Sequence, residues 1–534
     1  MSTAPPGPPG PHWFGLGDVL TEHARTRPDD TAVVCGAHRS SWSELDRRVG
    51  ALAAVLASRG LAPGERLLWL GQNCHRLLEA LFAAARLGAV LCPVNWRQSV
   101  DELRFVLADA EPAVVLWQAE EIGEAVAAAR VDTARVDTAR ADTARVDTAR
   151  VGTAGSAHWI QHDDPGPDGY EALLAAAQPV AAAPVDPAGP VLMLYTAAFD
   201  GRPNGALLSQ TALLSQTTTL RLLEGVGADE VFLNSGPLFH IGTLRRTLAV
   251  AHAGGRNVML RRVEPELLAE LVQAQRCTSA FLQRPTMEQL VALGGRYDLS
   301  SLRTPPGPPG WDELVTVQRG ARVRSGYGQT ELAGVVTFSM PERPTVGGLP
   351  GPLATVEVLD PAGVPVGVGE VGELAVRGPM VMNGYHRRPE LTAAKRRHGW
   401  HHTGDLGRRE PDGSLSFVGP LRKMIKSAAE NVYPAEVEAS LRRHSGVAKA
   451  AVIGLPDATW GQRVLAVVVP AATSADPEPT ALAEQLIEHC RRELAGYKRP
   501  RLVEFVDALP TRGGGTDYDA LDARFGGGGY PGTG

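Results

Sequence analysis

The stretch Val191-Leu-Met-Leu-Tyr-Thr-Ala-Ala-Phe-Asp-Gly-Arg-Pro-Asn-Gly-Ala-Leu-Leu-Ser-Gln210 decides how the chain is read. Val191 to Tyr195 are apolar or aromatic, a run of the length and bulk of a buried strand. A loop with Gly201, Pro203 and Gly205 is expected to follow, and Ser209 is placed to cap a helix running to Glu224. A strand entering a glycine-bearing loop is where α/β folds hold phosphates, because backbone N–H groups can close on an anion where no Cβ intervenes. This is not a Walker loop, since no Gly-Lys-Ser/Thr ends it.

Working outward, 534 residues can bury more than one core, and the length suggests two to four domains. A net charge of −6 gives no reason to expect nucleic acid or an anionic membrane as partner. Cys35, Cys74, Cys92, Cys277 and Cys490 show no metal-ligand spacing and read as reduced structural thiols. The Pro- and Gly-rich start lacks the basic and apolar regions of a signal peptide, and no apolar run reaches membrane-spanning length, so a cytoplasmic protein is expected. Only five of the 53 basic residues are lysines, and none follows Lys498.

Residues 13–117 alternate amphipathic helices (43–58, 75–87, 100–108) with short apolar strands (66–70, 113–117), which implies a largely parallel sheet covered on both faces. The phrase Leu87-Gly-Ala-Val-Leu-Cys-Pro-Val-Asn-Trp-Arg97 lies among them and reads as structural. From Val131 the unit Val/Ala-Asp-Thr-Ala-Arg repeats four times before decaying by Gly155. A five-residue period matches neither a helical stripe nor strand alternation, so residues 131–155 read as a surface insertion.

Further motifs follow in order: Ser235-Gly-Pro-Leu-Phe-His-Ile-Gly242, Ser325-Gly-Tyr-Gly-Gln-Thr-Glu331, Gly399-Trp-His-His-Thr-Gly-Asp405 and Glu430-Asn431 after Ala428-Ala429. Together with the opening loop they resemble the adenylate-forming superfamily, on its acyl-CoA synthetase branch, over nearly the whole chain. The resemblance implies an α/β fold with a large N-terminal domain of mixed sheets covered by helices (residues 1–421). A small α+β C-terminal domain (residues 422–534) would rotate about a hinge at Arg422. It implies that Ser325, Gly326, Tyr327, Gly328, Gln329, Thr330 and Asp405 hold AMP, with Tyr327 stacked on adenine and Asp405 accepting both ribose hydroxyls. Glu331 would ligate Mg2+ where that ion is used, a hard cation suited to carboxylate and phosphate oxygens. Phe239, His240 and Gly307 would wall the acyl pocket, with His240 near the thioester path, and Ala428, Ala429, Glu430 and Asn431 would line a tunnel for coenzyme A.

The departures from the family pattern are concentrated on phosphate chemistry. In the family the opening loop reads Tyr-Thr-Ser-Gly-Thr-Thr-Gly-x-Pro-Lys-Gly. Here Thr196, Gly201 and Gly205 keep the frame, while Ala197, Ala198, Phe199 and Asp200 replace its donors and Asn204 its lysine. Pro420 stands at a nucleotide-contacting arginine, and Thr516 at the C-terminal catalytic lysine. Around Gly307, Arg303-Thr-Pro-Pro-Gly-Pro-Pro-Gly310 replaces a Ser-Gly-Gly-Ala-Pro turn, so that a rigid loop either reshapes the pocket or has lost a constraint. Amino-acid substrates are disfavoured, since no aspartate stands where relatives grip an ammonium.

Adenylation is catalysed mostly by positioning and by cationic and hydrogen-bond stabilisation of phosphate oxygens, and one lost donor costs on the order of 10²–10³ in rate. Thioester formation from a ready acyl-adenylate needs little of that equipment. The expectation is therefore a ligase homologue that joins a preformed acyl-adenylate to coenzyme A and releases AMP. Its substrate would come from a separate adenylating ligase, which counts against ATP as a co-substrate. A complete ATP-dependent ligase using Arg202 or Arg512 in compensation is the first alternative, and a non-catalytic AMP- or acyl-binding pseudoligase the second.

Overall fold

A computed structural model describes residues 10–130, 157–196, 203–318, 324–340, 343–421, 424–427, 430–471, 478–512 and 515–528. The pentapeptide repeat lies outside them. The chain forms a large N-terminal and a small C-terminal domain, both mixed α/β.

The largest sheet has seven strands, in the order Gly384–Tyr385, Asn204–Ser209, Pro190–Thr196, Val90–Val94, Arg66–Leu70, Val114–Trp117 and His158–Gln161. From Pro190–Thr196 to His158–Gln161 the pairs are parallel, as the strand and helix alternation requires. Helix His75–Leu87 is buried along most of its length and ends at Gly88, whose φ of 65° suits a left-handed cap that glycine adopts without strain. Trp42, Trp69 and Phe82 are among the largest side chains of this core, and burying each contributes roughly 1.5–3 kcal/mol.

One local expectation is corrected. Residues 204–209 are not loop: Asn204–Ser209 is a strand that pairs antiparallel with Pro190–Thr196, Thr196 facing Asn204. Three consecutive apolar residues, Ala206, Leu207 and Leu208, lie in this strand between Pro190–Thr196 and Gly384–Tyr385, and a Cβ at Gly205 would sit 2.7 Å from the Met193 sulfur, so that side chain would have to shift. Ser209 does cap helix Gln210–Glu224, accepting from the Ala212 N–H at 3.0 Å.

A second sheet runs Ser279–Ala280, Val231–Asn234, Arg256–Met259, Thr31–Cys35 and His38–Ser41, and a third, antiparallel sheet contains Thr355–Leu359, Val371–Arg377, Trp400–Arg409 and Leu415–Pro420. In the small domain, the long hairpin Val447–Asp457 and Gly461–Pro470 is packed by helices Pro434–Leu441 and Pro479–Glu493. The two domains are joined through charge. Buried Lys498 Nζ donates to Glu102 Oε1 of the large domain and to Glu436 Oε1 of the small one, both at 2.7 Å. Ser99 Oγ, on the cap that starts helix Val100–Ala110, donates to the Glu493 carbonyl at 3.0 Å.

Within the large domain, Arg48 Nε donates to buried Glu79 at 2.6 Å, and Tyr170 Oη donates to the same carboxylate at 2.6 Å. Without Glu79, Arg48 keeps only Glu171 and the buried Tyr170 hydroxyl loses its acceptor, which costs about 1–3 kcal/mol. Glu79→Ala is therefore expected to lower the urea midpoint of the large domain by a corresponding amount. An unchanged midpoint would show that the pair contributes nothing.

Candidate active site

A cleft of about 1240 Å3 opens between the domains and gathers residues on or next to strands of the three largest sheets of the large domain together with residues of the small domain. Its floor is the 326–331 segment, folded as a short strand and a tight turn that follow strand Arg324–Ser325. Gly328 is fixed there by backbone approach, because a Cβ would meet the Gly334 carbonyl oxygen at 2.2 Å. Gly326, Tyr327, Gly328, Gln329, Thr330, Glu331 and Asp405 all line the cleft; the Ser325 backbone sits at its edge in strand Arg324–Ser325.

Tyr327 Oη donates to Asp405 Oδ2 at 2.7 Å and accepts from Gln329 Nε2 at 2.8 Å, while its ring lies against Phe417 with centroids 5.8 Å apart. Asp405 projects from strand Trp400–Arg409. Burial pushes its carboxyl up to about 6, with Glu331 and Glu373 adding to the rise and Tyr327 and Lys395 opposing it. A carboxylate held so close to protonation gains from two further O–H donors such as those of a ribose. Glu331 is buried at the cleft wall, and its Oε1 accepts from Tyr385 Oη at 2.8 Å. That donor orients a carboxylate toward the cleft, a donor chemistry that fits Mg2+.

A second group of cleft residues is built around His240, the residue before helix Ile241–Ala253. His240 Nε2 lies 3.2 Å from Glu430 Oε2, and Arg97 Nη2 donates to Glu430 Oε1 at 3.0 Å. Burial works to raise the Glu430 carboxyl, but His240, Arg97 and Lys498 together hold it below the ordinary value. The Arg97 guanidinium also lies 5.8 Å from the Phe239 ring centroid, and Lys426 Nζ donates to Asn431 Oδ1 at 2.9 Å. Asn73 pins the loop before His240, donating to the Gly236 carbonyl at 2.7 Å and accepting from the Leu238 N–H at 3.1 Å.

Other expected residues are placed elsewhere. Thr196 lines the cleft, and its Oγ1 donates to the Asn204 carbonyl at 3.2 Å. Asn204 is only 2% exposed in its strand, and neither it nor Gly205 is part of the cleft wall. Gly307 is exposed outside the wall, with its N–H donating to Asp312 Oδ1 at 3.0 Å. Thr516 pairs with Thr511 in a small hairpin that is also outside the wall. Residues 197–201, Arg422, Ala428 and Ala429 lie outside the described residues. Arg97, read from sequence as part of a structural phrase, lines the cleft, as do Lys426 and Lys498. The scarcity of lysine was the one signal that could have drawn attention to the last two.

Comparison with known proteins agrees with this architecture. The AMP-binding enzyme family model matches residues 20–386, and that of the AMP-binding enzyme C-terminal domain matches residues 436–515. A feruloyl-CoA synthase from Amycolatopsis is 37% identical over 94% of this chain and 97% of its own. An indoleacetate–CoA ligase from Aromatoleum aromaticum is 32% identical over 93% and 95%. A solved o-succinylbenzoate CoA synthetase from Bacillus subtilis, a double mutant, shares the fold with a TM-score of 0.75 at 22% identity, covering 94% of this chain and 97% of that one. Matched by both family models and by relatives along nearly its full length, the chain belongs to the AMP-binding enzymes, on their acyl-CoA ligase branch.

Proposed function

We propose that this ligase homologue performs the thioester-forming half-reaction alone, joining a preformed acyl-adenylate to coenzyme A. The observation that carries the reading is the state of the lysines and arginines lining the cleft. Among the described residues these are Arg97, Lys426 and Lys498, and each is already engaged: Arg97 with Glu430, Lys426 with Asn431, and Lys498 with Glu102 and Glu436. A triphosphate needs uncommitted positive charge along its length, whereas an acyl-adenylate brings one phosphodiester charge. The arrangement of the small domain supports the same reading, since Glu430 and Asn431 face the cleft while the hairpin bearing Thr516 does not.

In the proposed reaction, the thiol sulfur attacks the acyl carbon, the bond from that carbon to the phosphate oxygen breaks, and AMP leaves with the electron pair. His240, oriented by Glu430, takes the thiol proton. The small domain, taken from residue 422 onward, turns about Arg422 to admit and release ligands. Phe239, Phe281 and Val263 make the acyl side apolar, and with relatives named for ferulate and indoleacetate, an aryl or arylalkyl acid is the proposed acyl group. Those relatives also favour the second reading, a complete ATP-dependent ligase.

Two assays separate the readings. Acid with ATP, Mg2+ and coenzyme A is compared with synthetic acyl-adenylate and coenzyme A, following pyrophosphate and thioester. Thioester in the second assay alone is expected; product in both establishes the complete ligase, and product in neither a binding protein. In the second assay His240→Ala is expected to slow turnover by about 10²-fold or more, the scale of a lost general base, and wild-type rates would remove His240 from the chemistry.

The pH dependence of AMP binding follows from Asp405. Its carboxyl titrates near 6 in the free protein, and ribose hydroxyls donate to the ionised form, so binding lowers that value. Affinity is thus fully present above pH 7 and lost as pH falls through 6, approaching about tenfold per unit. Calorimetric titration with AMP between pH 5 and 8 checks this, and affinity that stays level to pH 5 would take Asp405 off the ribose.

A further inference from the structure

Away from the cleft, the hairpin of Thr31–Cys35 and His38–Ser41 carries chemistry that the ligase reading does not use. Cys35 and His38 are register partners, so their side chains leave the same face. The His38 ring stacks on that of His75, with centroids 3.8 Å apart and planes 13° from parallel. His75 is 5% exposed, and neither of its ring nitrogens has a hydrogen-bond partner among the described residues. Its Nε2 lies 3.8 Å from Glu171 Oε1. Arg48 holds both Glu79 and Glu171, Arg76 also holds Glu171, and Cys74 precedes His75.

Two ligands suit such a cluster, a metal cation or an added group on sulfur. His38, His75 and Glu79 do bring ligand atoms within 4.8 Å of one another. Imidazole lone pairs lie in the ring plane, however, and two stacked rings cannot aim theirs at one point. Glu79 is moreover occupied by Arg48 and Tyr170, and two guanidiniums repel a further cation. The same positive surroundings favour an anion, and Cys35 is the group here that becomes one.

We propose that Cys35 is a modification site, a half-buried thiol whose strand partner His38 stacks on the buried, unpartnered His75 beside Glu171, and that it takes small-molecule disulfides. The Cys35 sulfur attacks one sulfur of the disulfide, the S–S bond breaks, and a mixed disulfide forms. The departing thiolate takes the proton that His75 received from Cys35. Burial opposes ionisation of Cys35, yet the approach of His75, with the Arg76 charge behind it, brings the thiol below its ordinary value. His75 is buried too, but Cys35, Glu171 and Glu79 hold its imidazolium above the usual range. Across the strand pair, burial, His75 and Arg48 push His38 down to about 4, leaving it neutral. Burial raises the thiols of Cys74, Cys92, Cys277 and Cys490 well above the ordinary value. A group added at Cys35 also has a route to the cleft: displacing His75 moves Asn73, two residues earlier, which pins the Gly236 and Leu238 backbone.

The test treats the full chain with dipyridyl disulfide from pH 5.5 to 9, quenches with acid and maps labelled peptides, with a short cysteine peptide as reference. Cys35 is expected to react first, with a pH midpoint below that of the peptide; each unit of difference gives about a threefold faster reaction at pH 6. His75→Gln, and independently Glu171→Gln at the partly exposed end, should move the midpoint upward. A Cys35 midpoint at or above that of the peptide would overturn the proposal, as would labelling of another cysteine first. So would protection of Cys35 by micromolar Zn2+, which would establish the metal reading instead. The outcome is independent of which half-reactions the cleft performs.

Discussion

One buried ammonium sets the relation between the two domains. Lys498 Nζ lies 2.7 Å from a carboxylate of each domain, and burial alone would strip its proton. Glu436 and Glu102 reverse that and hold it charged far above the usual range. Taking three ions out of water costs several kcal/mol per ion, so the cluster persists only where all three meet. The consequence is geometric more than energetic: any turn of the small domain must separate Lys498 from Glu102, while the Glu436 contact travels with it. Ser99 and Arg97, just before the helix that carries Glu102, reach Glu493 and Glu430 by the same approach, so the three contacts form or break together.

With the domains held this way, positive charge in the cleft is spent on protein partners. Among the described residues, Arg97 is shared between Glu430 and the Phe239 face, and Lys426 donates to Asn431, with burial lowering its pKa and Glu430 opposing that. The Asp405 side has the opposite character, being a cluster of acids. Asp405, Glu331 and Glu373 interact, and that mutual repulsion adds to burial in raising Asp405. Such a cluster accepts O–H donors readily and anions poorly.

Much of the fold was legible because its signals are local. Strand Arg66–Leu70 and helix His75–Leu87, with its Gly88 stop, follow from apolar runs, helical spacing and one left-handed residue. Asn204–Ser209 was not legible: its pairing depends on the opposite strand Pro190–Thr196, and its glycine and neighbouring proline carry the same turn signals as a loop. Arg97 and Lys498 were missed for a related reason. Each acts on residues more than 300 positions away, Glu430 and Glu102 respectively, and no periodicity records such a distance. The cleft-floor residues could be read because they lie in short contiguous motifs, whereas the partners that tune them, Tyr385 on Glu331 and Phe417 on Tyr327, do not.

The placement of Asn204 bears on how a phosphate loop can decay without disturbing the fold. A lysine at that position must carry its ammonium out to water or phosphate, and it pays a desolvation cost if it turns inward. An asparagine that is 2% exposed can stay in the sheet, where its backbone carbonyl accepts from Thr196 and its neighbours continue the pairing. A short amide at this position therefore leaves strand register, helix cap and core intact. Loss of a charge at such a position is structurally cheap, whereas loss of Asp405, Tyr327 or Gly328 would disturb hydrogen bonds and backbone contacts on which the cleft floor itself depends. That asymmetry gives a physical reason why this strand tolerates a change of side chain that the 326–331 turn does not.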